Sequence, residues 1–367
     1  MNNDLLYKIA LSMLPGIGGV LARNLVAYTG SVEGVFKASL PALKKIPGIG
    51  DFYARRIKEA KVLVRAAKEL EFVQKNNIQV HFYTDSGFPR RLKNCADAPV
   101  ILYSTGNMNL NEQRVVSIVG TRNATEYGKG MVEELVKSFA QHGYKMLIVS
   151  GLAYGIDIQA HRSALKHNIP TVGVVAHGLD KLYPALHRNT ASKMQECGGI
   201  VSDFHSGTKI DPQNFIKRNR IIAGLADATI VVESAEKGGS LITADIAASY
   251  NRDVFAFPGR AGDSFSKGCN LLIRNSGANL IQGIEDLEYF MGWEESQPQE
   301  AVQTDLFVEL DPDEQKIVDL LRKNDSLFID QISSELRLPV SKISSLLINL
   351  EFKNVLVALP GKMYKIR

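Results

Sequence analysis

RVVSIVGTR, residues 114–122, is an apolar run that stops at a glycine turn and an arginine. It reads as a buried strand entering a tight turn, with a helix starting near Thr125. MLIVSGLAYGID, residues 146–157, repeats the device. Further apolar runs follow at Thr171–Ala176, Gly199–Ser202, Thr229–Val232, Val254–Phe257 and Ala278–Ile281, most of them separated by helical intervals. Strands alternating with helices imply a largely parallel sheet covered on both faces. Such sheets bind ligands beyond the carboxyl ends of their strands, where most of the glycine turns of this chain fall.

The chemistry gathered at those turns is cationic. Gly120, Thr121 and Arg122 form one turn, Ser150, Gly151 and Gly155 another, and Lys237, Gly239 and Ser240 a third. Arg260 and Lys267 sit on the loop after Phe257. The block NFIKRNRIIAG, residues 214–224, adds Phe215, Lys217, Arg218, Asn219 and Arg220. At helical spacing Lys217 and Arg220 project together and Arg218 points elsewhere. Glycine turns let phosphates approach the backbone, and arginine clamps them through its fork of donors. An aromatic ring among cations suits the bases of a single strand, although Phe215 reads equally well as core.

Catalytic readings find little to rest on. Asp157 and His161 are four apart and share a helix face, but such an Asp more often caps its helix and such a His more often sits satisfied in the interior. Glu233 at a strand end reads as orienting a buried arginine or a ribose-like hydroxyl. The chain lacks the P-loop, the dinucleotide fingerprint, the nucleophile elbow and the paired-histidine zinc motif. Its three cysteines, at 95, 197 and 269, stand too far apart for a cysteine zinc site, and no metal or cofactor is expected.

The 367 residues, 45% of them hydrophobic, suit two or three folded domains. No secretory signal and no membrane-spanning run is read, which points to the cytoplasm. The net charge of +4 conceals a division: residues 284–314 hold eleven acids and no Lys or Arg, so the remainder is more basic than the total implies. Positive surface attracts a polyanion in a salt-dependent way.

At the start, LPGIG at 14–18 is followed by IPGIG at 46–50, each between helix-like stretches, in the manner of tandem helix-hairpin-helix units. The turn of such a unit holds a DNA phosphate, which makes Gly48, Gly50, Arg55 and Arg56 a secondary contact. Residues 51–68 carry six basic groups against two acidic ones. At the other end, helix candidates at 312–323, 329–335 and 341–350 precede two short strands, an arrangement that resembles a winged helix. The helix that would read DNA offers little charge beyond Lys342, so a protein-contact or regulatory role is expected there. The divisions read as 1–67 helical, 68–291 the main α/β domain, 292–310 an acidic linker and 311–367 the winged-helix domain.

The motifs GTR at 120–122, SGLAYGIDIQAH at 150–161, the Tyr183–Pro184 pair, FIKRNRIIAG at 215–224, GSLITA at 239–244 and FPG at 257–259 together resemble the bacterial DNA-processing protein A (DprA/Smf) family. The resemblance covers residues 80–290. It implies an extended Rossmann-like domain that binds single-stranded DNA, forms a homodimer and loads the RecA recombinase during natural transformation. It also implies no catalytic activity. The family's phosphate-clamping arginine falls on Arg122, and its basic block on Phe215, Arg218, Asn219 and Arg220. Apolar residues such as Leu271, Leu272, Ile273 and Leu280 are candidates for the dimer interface or for ordinary core. The alternative is a nucleotide-processing hydrolase. Nucleoside-monophosphate phosphoribohydrolases use a PGGxGTxxE motif, but this chain reads KGGSLITA at 237–244, with no acid at the required position.

Overall fold

The computed structural model describes residues 3–59, 61–293, 310–324, 326–359 and 362–366. The chain divides into two compact units, Met1–Glu294 and Glu295–Arg367.

Six helices open the first unit: α1 (Asn3–Ser12), α2 (Gly19–Thr29), α3 (Val32–Lys37), α4 (Leu40–Lys44), α5 (Gly50–Glu59) and α6 (Val62–Lys75). The repeated LPGIG and IPGIG turns join α1 to α2 and α4 to α5. Equivalent positions are buried in both: Leu14 with Ile46, and Ile17 with Ile49. Each turn passes through a left-handed glycine, Gly16 or Gly48.

A nine-stranded sheet follows, built from β1 (Gln79–Phe82), β2 (Ile101–Asn107), β3 (Arg114–Val119), β4 (Met146–Ser150), β5 (Thr171–Val174), β6 (Gly198–Ser202), β7 (Ala228–Val231), β8 (Asp253–Ala256) and β9 (Asn279–Leu280). Interleaved helices are α7 (Arg90–Lys93), α8 (Glu126–Gln141), α9 (Ile156–Lys166), α10 (Arg188–Met194), α11 (Pro212–Leu225), α12 (Gly239–Ser249), α13 (Lys267–Arg274) and α14 (Ile284–Met291). The spatial order is β1-β2-β6-β5-β4-β3-β7-β8-β9. From β6 to β9 every pairing is parallel, and β2 joins β6 antiparallel. The chain therefore begins the parallel sheet at its centre with β3, travels outward to β6, returns along α11, and builds the other half from β7. The strand order reverses between β3 and β7, which leaves a crevice at their carboxyl ends.

Alternation along the strands sorts the core into two layers. Val115, Val119, Leu147, Val149 and Val231 face α11 and α12. Val116, Ile118, Met146, Ile148 and Ile230 face α8 and α9. This double burial is why the strands read as unbroken apolar runs. The N-terminal helices share a third core with Phe82, Val100, Ile101 and Tyr103 from the β1–β2 edge. The position 67/68, where the sequence reading divides helical from α/β residues, falls inside α6. From that helix the buried Glu69 carboxylate accepts the Ser206 backbone N–H at 2.8 Å, fixing the helices to the loop after β6.

The second unit comprises α15 (Pro312–Arg322), β10 (Leu327–Phe328), α16 (Ile329–Leu336), α17 (Val340–Phe352), β11 (Leu356–Leu359) and β12 (Met363–Ile366), with the antiparallel order β10-β12-β11. This is a winged helix with a third short strand, β10, beyond the two read from sequence. Lys342 on α17 pairs with Asp313, so even that cation is neutralised. Most of the expected acidic linker lies outside the described residues. Trp293, at its start, is instead packed into the core beside α14. Among the described residues no helix is long and apolar enough to cross a membrane.

Candidate nucleic-acid interface

A cleft of about 580 Å³ occupies the crevice beyond β3 and β7. Gly120, Thr121 and Arg122 line one side, Gly239 and Ser240 another, and Phe215, Arg218 and Asn219 of α11 a third. Sequence-predicted residues from two turns and one helix thus converge.

Four helices begin at this cleft or beside it, and the chain treats them differently. The start of α8 is closed: the Thr125 hydroxyl accepts from the Gly128 N–H, and the Glu233 carboxylate accepts from the Thr125 N–H at 2.9 Å and hydroxyl at 2.5 Å. The first turn of α9 holds Asp157, which accepts from the Ala153 N–H, and α11 is capped by Asp211, which accepts from the Gln213 N–H. Only α12 starts at a glycine, Gly238, with no side-chain cap and no acid in its first turn. Its Gly239–Ser240 end is the one suited to an anion. Phosphate at α8, expected from the turn at Thr121, is thereby corrected. The Thr121 N–H is also taken, donating to the Glu233 carbonyl at 2.7 Å.

Arg122 is exposed at the cleft wall and its guanidinium lies 5.6 Å from the Phe215 ring centre. Arg218, buried at 4% exposure, sits 5.9 Å from the same ring. Tyr183 meets that ring edge-on at 6.0 Å. Phe215 therefore belongs to the cleft wall and to none of the buried clusters. Arg218 donates to the Gly151 and Val174 carbonyls at 2.7 and 2.5 Å, bridging the ends of β4 and β5. Burial pulls its pKa down to about 10, opposed by Asp157 and reinforced by Arg122. Burial likewise raises the Asp157 carboxyl, against the pull of Arg218. A pKa near 10 leaves Arg218 protonated at neutral pH, where its charge offsets the burial of Asp157, and Arg122 is an exposed cation on the cleft wall.

Other expected residues stand outside the cleft lining. Lys217 is exposed on the opposite side of α11, and Arg220 donates to Asp203 at 2.7 Å and to the Asp97 carbonyl. Of the three cations in the basic block only Arg218 lines the cleft, so the block divides between two faces of α11. Ser150 is buried and donates to the Ile118 carbonyl at 2.6 Å. Gly151 lies behind Arg218. Gly155, at φ +76°, packs against the Thr121–Arg122 backbone, where a Cβ would collide with the Thr121 carbonyl oxygen. Lys237 and Lys267 are exposed outside the lining. The rim residues Tyr183, Ile210, Ile216 and Ile242, all exposed, were not singled out from sequence as site residues. Tyr183, Ile216 and Ile242 stand within the motifs that carry the family resemblance, while Ile210 has no signal beyond an apolar side chain beside a polar turn.

The acid–base candidates have structural positions. Glu233 caps α8, its carboxylate accepting from the Thr125 N–H and hydroxyl, and among the described residues it pairs with no arginine. His161 is fully buried, with Nδ1 2.7 Å from the Thr171 hydroxyl. Burial, together with His187 and Arg218, pushes its pKa down to about 3. The unfolded chain takes up a proton on this ring near pH 6.5 and the folded chain refuses it until near pH 3. Its contribution to stability is therefore complete above pH 6.5 and declines between those values as pH falls. Denaturant titrations at pH 7 and pH 5 are expected to show the parent losing about 2 kcal/mol more than His161→Gln. Equal losses would mean that the folded protein accepts the proton. Among the described residues no group of three or more His, Cys, Asp or Glu is placed to hold a metal.

The N-terminal hairpins lie outside this cleft. The start of α2 abuts the Ala98 carbonyl so closely that only a glycine fits at position 19, and Arg23 donates to the Ala96 carbonyl. The first hairpin is thus committed to packing. At the second, Gly50 begins α5, and Asp51 in its first turn pairs with Lys44 and Arg55. Arg56 lies over the Phe52 ring at 5.2 Å. Arg65, counted among the six basic groups, pairs with Glu69.

The family model for "DNA recombination-mediator protein A" matches residues 79–292. The chain belongs to the DprA/Smf family. Models for the DprA winged helix domain and for a SAM-like helix-hairpin-helix tandem match residues 299–362 and 8–60. Protein Smf of Synechocystis is 36% identical over 284 residues, covering 76% of this chain and 71% of that protein. DNA processing protein DprA of Bacillus subtilis is 41% identical over 201 residues, covering 54% and 67%. The crystal structure of DprA from Streptococcus pneumoniae superposes with a TM-score of 0.67 at 30% identity, covering 79% of this chain and 98% of that one. A Helicobacter pylori DNA processing protein A, studied for its single-stranded DNA binding mode, superposes at 0.53 with 27% identity, covering 59% and 96%.

Proposed function

We propose that this protein binds single-stranded DNA in the β3–β7 cleft and acts as a recombination mediator. The observation that carries the reading is the uncapped, acid-free start of α12 across the cleft from Arg122, with the Phe215 ring between two guanidiniums. Amides and Arg122 suit a phosphodiester, and Tyr183, Phe215 and the isoleucine rim suit unpaired bases. The single-strand binding of the H. pylori relative supports it. The finer role is to protect incoming DNA and load the RecA recombinase during natural transformation, as a cytoplasmic homodimer. Leu280, 41% exposed on the edge strand β9, is the best placed of the interface candidates, since Leu272 and Ile273 flank the core. Arg56 and the Gly48–Gly50 turn form an auxiliary phosphate contact, weakened by Asp51.

The protein is proposed to have no catalytic role. A hydrolase reading leaves Glu233 and His161 committed to structure and Asp245 exposed on α12.

The test is a binding titration with oligo-dT and a duplex of equal length at several salt concentrations. The parent is expected to prefer the single strand. Arg122→Ala is expected to bind about tenfold more weakly, with a salt slope shallower by about one. Equal oligo-dT affinities for parent and variant would end the assignment.

A further inference from the structure

Beyond Arg122 a second hollow opens, of about 610 Å³. Thr125 and Tyr127, at the start of α8, form one wall. Gly259, Arg260, Asp263 and Ser266, on the loop after β8, form the other. The partition between the two hollows is the 121–125 turn. Glu233 holds it from below, its carbonyl accepting from the Thr121 N–H at 2.7 Å and its carboxylate from Thr125.

The residues present suit a nucleotide better than a free anion. On the α8 wall the Thr125 and Gly128 N–H groups are taken by Glu233 and Thr125, so that helix start is closed to a bare phosphate. Tyr127 is 47% exposed, and its hydroxyl donates to the Pro258 carbonyl at 2.8 Å, which steadies the ring while leaving part of it open. Arg260 is exposed and among the described residues makes no ion pair. Asp263 is occupied with its own turn: its carboxylate accepts from the Phe265 N–H at 3.0 Å, and its N–H donates to the Arg260 carbonyl at 3.1 Å. An aromatic face beside an unpaired arginine is the pairing that holds a base and its phosphate.

We infer that this second hollow receives the nucleotide that follows those held in the first cleft, with its base stacked on Tyr127 and its phosphate against Arg260. The inference rests on the single-strand reading above and extends that site along the sheet edge.

The full chain is titrated with oligo-dT of roughly four and roughly twelve nucleotides, within the range of lengths single-strand sites span. The parent is expected to bind the longer strand more tightly. Tyr127→Ala is expected to lose about tenfold on the longer strand and nothing on the shorter. Tyr127→Phe keeps the ring and is expected to match the parent on both. Arg260→Ala is expected to lower the salt slope by about one on the longer strand alone. Parent-like binding of both lengths by Tyr127→Ala would overturn the inference, as would equal weakening on both. A parent that binds neither length better than duplex would overturn the underlying single-strand reading and this inference together.

Discussion

Arg218→Ala is expected to destabilise the protein by about 3–5 kcal/mol, as breaking a buried charge arrangement does. The side chain is 4% exposed and supplies the donors to the Gly151 and Val174 carbonyls. Removing it leaves both acceptors buried without them and takes from Asp157 the cation that offsets its burial. Arg218→Lys should recover little, because a single ammonium does not reproduce a fork that spans two strand ends. Urea unfolding measures the loss, and a change below about 0.5 kcal/mol would show that the guanidinium is dispensable to the fold. The variant is also expected to lose strand binding, but for a structural reason. Arg122→Ala, at an exposed position, is expected to lose binding with stability intact. The two arginines face the same ring and are separated by this pair of measurements.

Gly155→Ala is expected to cost about 3 kcal/mol or more, summing left-handed backbone strain and overpacking. The residue holds φ +76°, and a Cβ would collide with the Thr121 carbonyl and the Arg122 backbone. The next residue, Ile156, donates its N–H to that same Thr121 carbonyl at 3.1 Å, so the collision falls on the contact joining the β3 and β4 turns. The displaced turn carries Arg122, and oligo-dT affinity should fall with stability. Gly130→Ala is the control: it lies exposed in α8 with open space at its Cβ, and the change should stabilise by up to ~1 kcal/mol. Thermal and denaturant unfolding of the two variants should therefore move in opposite directions. If Gly155→Ala unfolds like the parent, the two turns are not locked as described.

The parallel strands were legible because burial on both faces leaves no polar alternation to blur them, and the glycine turns marked their ends. The tandem hairpins were legible because the same five-residue pattern recurs with the same burial. Partners distant in sequence were not. Glu233 meets Thr125 across the β3–β7 reversal, and nothing beside Glu233 in the chain names a helix start as its partner. The basic block resolved only in part. Helical spacing separated Arg218 from Lys217 and Arg220, but it took the packing of α11 over the sheet to decide which side was buried. β10, two residues long, is too short for any periodicity to show.

The core shared between the N-terminal helices and the β1–β2 edge bears on how pieces of this protein will behave. A fragment cut where the recombination-mediator match begins, at residue 79, would keep Phe82, Val100, Ile101 and Tyr103 and discard the helices that cover them. Water would then meet a contiguous apolar face beside the unpaired edge of β1, a combination that drives chains to stick to one another. Light scattering on that fragment would record adhesion at the cut, whatever the intact molecule does. Self-assembly is therefore to be read on material that retains the helices.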